Sequence, residues 1–291
     1  MTATTFTASR PTNRLSRLAV RASAVALIAL SIHPVAAQEP TGQQGNWQGT
    51  VGLLGGSLAS YYGADARRTL GAPVINVAYR HRLLVGTSAA NGTLGAGAQY
   101  VVKEGTLGAS VGLATAEGRP EDRARALAGM DDRSGSTFGT ASVFLRAGPV
   151  VATTTSLVGI TPEAGDMQLL VLQFAGVLAP RLSGGIGTTV TWADRKNMAF
   201  DFGITPEQAE RRRALIDAGD GRLGDGDATA FAPRAGFKEL RNTAQLGYAI
   251  YGAWQVVGVV SEGRLAHELA ESPLARKSSA MTTALGFVYR F

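Results

Sequence analysis

Few residues of this chain could carry out catalysis, and they lie in polar, glycine-rich segments. His267 is followed within residues 268–272 by two glutamates and a serine, the residue types of a serine hydrolase. Such a nucleophile needs a base within hydrogen-bond reach and a third group that orients the base. Neighbourhood in one segment does not provide that geometry, and His81 stands between two arginines with no acid beside it. The sequence therefore predicts no catalytic site and a protein that is not an enzyme.

Aspartates are the other candidates, as metal ligands. The four aspartates of 217–227 alternate with glycines as in a calcium loop, but the bidentate glutamate that completes such a loop is missing. Asp65 and the pair Asp131-Asp132 could form a second acidic cluster. Cysteine is absent, which excludes thiolate zinc and iron–sulfur sites. We predict no metal and no cofactor, and we interpret 217–227 as a flexible acidic loop.

The first 37 residues have the pattern of a secretory signal peptide. Four arginines precede an apolar run over residues 22–32, and Pro34-Val35-Ala36-Ala37 follows as a cleavage site. An uncleaved membrane anchor would need about 18–20 apolar residues, more than this run offers. We expect residues 38–291 to form one exported domain.

Removal of this segment also removes most of the net charge. The chain has 28 basic and 22 acidic residues, and the four arginines of the first 37 residues leave 24 basic residues against the same 22 acidic ones. A polyanion-binding surface requires a larger basic excess. Nucleic acid is therefore excluded as a partner.

Most of the exported segment alternates in polarity with a period of two residues, which is the period of a β-strand. In RLSGGIGTTVTW, residues 181–192, the large apolar side chains share one face, and Ser183, Thr189 and Thr191 share the other. Residues 278–291 repeat the pattern. We predict twelve strands, at 47–61, 73–80, 82–88, 93–103, 105–117, 136–147, 149–161, 166–178, 180–193, 237–251, 254–265 and 278–291.

The connections between these strands alternate between long and short, which places long loops on one rim and tight turns on the other. Even strand number, segments of about ten residues and this asymmetry are typical of a transmembrane antiparallel β-barrel of the bacterial outer membrane, because lipid requires every backbone group to be paired in a closed sheet. The alternative is a secreted soluble β-sandwich. Ten strands are also possible, since 73–80 and 82–88 are short enough to be one bent strand.

The long extracellular loop 194–236 contains one predicted short helix. Thr205-Pro206-Glu207-Gln208 is a capping box with proline at the first helical position, and Gly219 ends the segment. Arg211, Arg212 and Arg213 follow within it. They could bind lipopolysaccharide phosphates, but adjacent residues point in different directions around a helix, so we interpret them as a solvated face.

Several segments resemble one family of outer-membrane barrels. The C-terminal residues Phe287, Tyr289 and Phe291 resemble the general signal that the barrel assembly machinery reads. The segments RPED with LAGMDD, WAD with FGITPEQA, and AGFK followed by ESPL are similar to the MipA/OmpV family, in the same order. They are residues 119–122, 127–132, 192–194, 202–209, 235–238 and 271–274.

This resemblance implies a protein of the cell outer membrane that contacts its lipid. It further implies a scaffold that joins a lytic transglycosylase to a penicillin-binding protein, with no catalytic residue. Other members look like porin-like proteins or surface antigens and adhesins, so a small-solute channel and an adhesin remain alternatives.

Two sets of residues follow from these alternatives. A scaffold would present Arg80, His81, Arg82 and Lys103 on the periplasmic side. A channel would use a basic ring at the periplasmic end of the lumen, which favours anions; its candidates are Arg146, Arg181 and Arg290. The same arginines could instead reach the interface and bind headgroups, and loop 194–236 could close the lumen.

Overall fold

A computed structural model of the chain describes residues 46–90, 93–103 and 106–291. Within them, twelve strands form a closed antiparallel barrel in which each strand pairs with its sequence neighbours and the first pairs with the last. The strands are β1 Trp47–Ala59, β2 Arg67–Tyr79, β3 Leu83–Ala90, β4 Thr93–Lys103, β5 Leu107–Ala116, β6 Ser136–Ala147, β7 Val150–Gly159, β8 Met167–Ala179, β9 Leu182–Ala193, β10 Gly236–Tyr251, β11 Trp254–Leu265 and β12 Ser279–Arg290.

The predicted barrel is confirmed, and the ten-strand alternative is wrong. β2 and β3 are separate strands joined by the turn 80–82. β2 begins at Arg67 rather than at residue 73, because residues 67–72 continue the pairing with Leu54–Ala59. Arg67 also donates hydrogen bonds to the Ser57 hydroxyl and to the Met281 carbonyl, which extends the wall beyond the apolar part of the strand.

The outer face of the barrel is apolar and the inner face is mostly small or polar. Alternate residues such as Leu53, Leu285 and Ile186 are more than 60% exposed, as expected of side chains that face lipid. Buried inward residues include Thr50, Ser110 and Thr140. One sector of the inner wall departs from the expected small residues, because a Leu/Val cluster lines β1, β2, β11 and β12; its members are Leu54, Val74, Val257, Val259 and Val288.

Aromatic side chains mark both ends of the wall. Trp47 packs on Tyr79 and Trp254 on Tyr289 at the tight-turn end, with ring centroids 4.7 and 5.3 Å apart. Trp192 and Phe237 meet at the loop end. Girdles at two levels are typical of membrane barrels, whose tight turns face the periplasm. We therefore call the tight-turn end periplasmic and the loop end extracellular.

Loop 194–235 contains two short helices, one more than predicted. Helix α1, Arg195–Phe202, begins at Asp194, whose carboxylate accepts a hydrogen bond from the Asn197 amide. Helix α2, Pro206–Asp217, begins at the predicted capping box of Thr205 and Gln208. In the described part of the chain, no helix has both the length and the apolarity needed to cross a bilayer. The predicted signal peptide lies outside the described residues.

Candidate functional site: the extracellular cap

The extracellular loops fold together into a packed structure, which we call the cap: residues 60–66, 117–135, 160–166, 194–235 and 266–278. Its two apolar clusters draw residues from different loops. Tyr61, Leu127, Met130, Ile204 and Leu274 belong to one cluster and are at most 3% exposed. Met198, Phe202, Ala266 and Leu269 belong to the other. Burial of this kind stabilises a single arrangement of the loops.

Helix α1 lies at the centre of the cap, and each of the other four cap segments contacts it. The Asn197 side chain donates to the Ala164 carbonyl at 2.7 Å, and the Ser272 hydroxyl donates to the Phe202 carbonyl at 2.7 Å. The Phe202 ring lies edge-on to Tyr62 at 5.7 Å. Loop 117–135 reaches the end of α1 through two arginines. The cap is thus one packed structure with α1 at its centre.

A buried lysine joins α1 to the barrel wall. Lys238, at the start of β10, is 1% exposed. Its ammonium donates to Asn197 Oδ1 at 2.5 Å and to Asp201 Oδ2 at 2.6 Å, and it lies 4.6 Å from the centre of the Tyr62 ring. A fully paired buried cation of this kind fixes geometry, and its removal leaves a carboxylate without its partner.

The end of α1 is held by Arg119 and Arg133, which face each other across a two-residue β-bridge. Arg119 Nη1 donates to the Asp201 carbonyl at 3.0 Å, and Arg133 Nη1 donates to the carbonyls of Ala199 and Phe200. Cations stabilise a helix C-terminus, where carbonyls lack intrahelical donors. Burial, followed by the neighbouring charge of Arg133, lowers the pKa of Arg119 to about 10.

A second charged group ties α2 to the rest of the cap. The Arg212 side chain is fully buried and donates to the carbonyls of Ala126, Ala128 and Asp227 at 2.6–3.0 Å. Asp227 pairs with Arg276 at 2.7 Å and accepts from the Gly224 amide at 2.8 Å. Arg212 is not part of a solvated face, which corrects the interpretation of the three adjacent arginines. Its neighbours Arg211 and Arg213 are half exposed.

The two tyrosines of the cap are neutral hydrogen-bond donors. Tyr61 donates to the Leu274 carbonyl at 2.9 Å, and burial raises its pKa to about 12. Tyr62 donates to Glu239, and burial and the nearby carboxylates raise its pKa as well. At neutral pH both hydroxyls therefore stay protonated and hold the cap together through their hydrogen bonds.

The catalytic and metal candidates do not assemble. His267 is exposed, whereas Ser272 is buried and its hydroxyl donates to Phe202. Asp220 binds the Arg222 guanidinium, and Asp131 pairs with Arg211. Among the described residues, no three histidine, aspartate or glutamate side chains are close enough to share a metal ion.

The predicted periplasmic contact residues lie at the turn between β2 and β3. Arg80 and His81 have left-handed backbone conformations, with φ of 48° and 56°. Arg80 Nε donates to Asn46 Oδ1, and Gln48 Nε2 lies 2.7 Å from His81 Nδ1. Arg82 donates to the carbonyls of residues 101 and 102. Lys103 is the last residue of β4 at the same end.

Two of the three predicted lumen arginines lie in strands. Arg146 in β6 and Arg290 in β12 belong to the inward register, and these strands are opposite each other in the closed barrel. Neither side chain has a hydrogen bond or an ion pair with a described residue, and the Arg146 Nε is buried. Arg181 is exposed in the turn between β8 and β9 with φ of 69°, outside the wall.

The predicted assembly-signal residues share the outer face of β12. Phe287, Tyr289 and Phe291 are 38–59% exposed. Phe291 exchanges two backbone hydrogen bonds with Gly49 of β1, at 2.9 and 3.1 Å. The signal therefore coincides with the seam where the barrel closes.

The segments that carry the family resemblance converge in the cap. Arg119, Met130, Gln208, Lys238 and Leu274 come from different segments and are all buried there. Glu121 accepts from the Gly129 amide, and Gln208 donates to the Met130 carbonyl. The sequence shows these residues as separate motifs and does not show that they meet. Most of the motifs lie in loops, where so many specific residues indicate a structural or functional role.

Comparison with known proteins gives one family. The family model described as MltA-interacting protein MipA matches residues 51–291. A comparison with curated protein sequences gave no match.

Solved structures of similar shape are outer-membrane proteins. The NanC porin matches with a TM-score of 0.47 and 7% identity, over 83% of this chain and 100% of that one. An outer-membrane channel from Pseudomonas putida F1 matches with a TM-score of 0.45 and 11% identity, over 87% and 99%. OmpT of Vibrio cholerae matches with a TM-score of 0.35 and 8% identity, over 86% and 99%. With TM-scores below 0.5, these likenesses carry no argument about this chain.

Proposed function

Because the chain belongs to the MipA family, described as MltA-interacting protein, we propose that this outer-membrane β-barrel protein is a non-enzymatic scaffold for murein-remodelling enzymes. The observation that carries the proposal is the cap. Because the extracellular loops pack against one another around α1, we place the partner contacts at the periplasmic end. A lytic transglycosylase and a penicillin-binding protein are the partners we propose.

The periplasmic end presents a small basic surface on which a partner could dock. The charged residues of its described turns and strand ends outside the lumen are basic: Arg80, Arg82, Lys103 and Arg181. A surface of one sign steers and orients a partner of the opposite sign, and such binding weakens with salt. We therefore expect the partner enzymes to present an acidic patch. The turns are short, so the interface is of the transient size, below about 1,200 Å².

A binding assay with the detergent-folded protein tests this role. We expect the variant Arg80→Ser, Arg82→Ser, Lys103→Ser to capture less of a purified lytic transglycosylase and penicillin-binding protein than the unmodified protein does. The matched control, Arg195→Ser, Arg213→Ser, Arg234→Ser, removes three exposed arginines from the extracellular end and should bind normally. Equal capture by both variants, each migrating as folded on unheated gels, would contradict the scaffold.

An anion-favouring channel for small solutes is the second candidate, because Arg146 and Arg290 face the lumen from opposite walls and pair with no described residue. Single-channel recording in planar bilayers tests it. We expect anion-selective steps that weaken in Arg146→Ser, Arg290→Ser and persist in Arg195→Ser. Because α1 packs among the extracellular loops, we expect a variant with residues 195–202 replaced by glycine and serine to conduct more. Silence of this variant in folded form would reject the channel.

A further inference from the structure

Arg119 differs from the other buried cations of the cap and upper lumen in how its donors are used. Arg212, Lys238 and Arg241 reach carbonyls, carboxylates or a hydroxyl with most of their nitrogens. Arg119 is 7% exposed, yet among the described residues Nη1 makes the side chain's one hydrogen bond, and the buried Nε and Nη2 have no partner there. Native proteins pair nearly all buried donors, so this guanidinium has donor capacity that no described residue uses.

The two unpaired nitrogens form one edge of the guanidinium. Nε and Nη2 point their N–H bonds in the same direction, which is the arrangement that holds two oxygens of a carboxylate or phosphate at once. Nη1, on the other side, is occupied by the Asp201 carbonyl. The acceptor that fits is therefore an oxyanion and not a single carbonyl.

The charges around Arg119 favour an anion. The charged groups that act on Arg119 are the cations Arg133 and Arg123 and the carboxylate of Asp201. Glu117 binds Arg68 and Arg123 at 2.7 and 2.6 Å, and Asp201 binds Lys238 at 2.6 Å.

The other acids near these arginines do not pair with Arg119. Asp131 is paired with Arg211, and Asp122 and Glu163 are exposed. The guanidinium of Arg119 has no ion pair of its own within the described residues. An uncompensated buried charge is costly, and a bound anion removes that cost.

We propose that Arg119 binds the carboxylate or phosphate group of a small solute through its Nε–Nη2 edge, with Arg133 supplying a second positive charge. The site lies in the extracellular cap, at the end of α1. It is independent of the scaffold function, which uses the opposite end of the barrel. It also assigns a role to the first residue of the RPED segment beyond its contact with α1.

Calorimetric titration of the detergent-folded protein with inorganic phosphate, at constant ionic strength, tests the site. We expect saturable binding of one phosphate per chain, weakened at least about tenfold in Arg119→Gln, which is a loss of about 1.4 kcal/mol. Arg119→Lys keeps the charge without the paired edge, so its affinity should be intermediate. Titration with acetate then distinguishes carboxylate from phosphate preference.

Two controls separate this site from others. Arg195→Gln removes an exposed cation of α1, and Arg234→Gln removes an exposed cation of the same loop; both should bind phosphate normally. Absence of saturable phosphate binding to the unmodified protein would overturn the proposal, as would equal affinity in Arg119→Gln. If Arg119→Gln does not fold, equal affinity of Arg119→Lys and the unmodified protein would overturn it.

Discussion

Arg211, Arg212 and Arg213 are adjacent in the sequence and occupy three different environments. Arg211 pairs with Asp131 at the surface, Arg212 is fully buried among carbonyls, and Arg213 is half exposed and 4.0 Å from Asp225. All three are arginines and they are consecutive in the sequence, so neither charge nor sequence neighbourhood distinguishes them. Their position around α2 decides which of them stabilises the cap.

Substitution of Arg212 by alanine should therefore open the cap. The change leaves three buried carbonyls without donors and Asp227 without one of its cations, a loss of about 3–5 kcal/mol. Hydrogen exchange in α2 and in residues 119–133 measures it. Arg213→Ala is the control and should change exchange little, since exposed ion pairs contribute about 0–1 kcal/mol. Equal protection in the two variants would contradict the role of Arg212.

Asp227 makes the cap sensitive to acid. Burial alone would raise its pKa, but hydrogen bonds from Arg276 and from the Gly224 amide lower it below the ordinary value of 3.8. A lowered pKa means that the carboxylate stabilises the cap fully above pH 3.8 and that this contribution is lost as the pH falls further.

We expect the cap of the unmodified protein to open below about pH 4, measured by protease cleavage between residues 218 and 224. Asp227→Asn should be cleaved faster at pH 7 and should change less on acidification. Asp225→Asn, whose side chain is 92% exposed, is the control. Cleavage that is independent of pH in the unmodified protein would show that Asp227 does not hold the cap.

At the scale of elements, the seam between β1 and β12 depends on glycine. Gly286 pairs with Leu54 on β1 and Val257 on β11. A Cβ there would collide with the Leu53 carbonyl, which backbone pairing holds in place. A Cβ added to Gly71 in β2 would meet no described atom within 4 Å. The two glycines therefore differ in function although both lie within strands.

Gly286→Ala should destabilise the folded barrel by about 1–3 kcal/mol, because overpacking forces the two strands apart. Gly71→Ala should change stability by no more than about 0.5 kcal/mol. Urea unfolding of the protein in lipid vesicles measures both. A tolerated alanine at 286 would mean that the seam can widen without cost.

The strands were predictable from the sequence and α1 was not. Alternation with a period of two is a local property, and each strand of the wall shows it because one face meets lipid and the other faces the barrel interior. Helix α1 has eight residues and buries Met198 and Phe202, four residues apart, against loops that are distant in sequence. So short a helix is stabilised by its tertiary contacts, which no local pattern contains.

The buried charges of the cap also depend on contacts between residues that are distant in sequence. Lys238 reads as a charged residue at the start of a strand, and its partners Asn197 and Asp201 lie 41 and 37 residues before it. Arg119 is 82 residues from the carbonyl it contacts. The family segments indicated that these positions were special, but only the closed barrel brings them to one place.

At the scale of the whole molecule, the last residue completes the barrel. Phe291 exchanges backbone hydrogen bonds with Gly49 and stacks near Tyr289 at 6.4 Å. Deletion of Phe291 should lower the amount of folded protein in the outer membrane, measured by heat-modifiable mobility on gels. Tyr251→Ala removes an aromatic residue that is 83% exposed at the same end, away from the seam. Equal losses in both variants would assign the effect to the aromatic girdle and not to the seam.

The cap contacts also form at a defined stage of barrel assembly. Tyr61 donates to Leu274, 213 residues later, and the Lys277 amide donates to the Gly63 carbonyl. These bonds join the first extracellular loop to the last one, so they form only after both loops have reached the extracellular side. We expect α1 and its neighbours to be open to proteases before this point and protected after it. Protease resistance of the loops therefore reports that the barrel is complete. It should appear in the final step of membrane insertion rather than gradually.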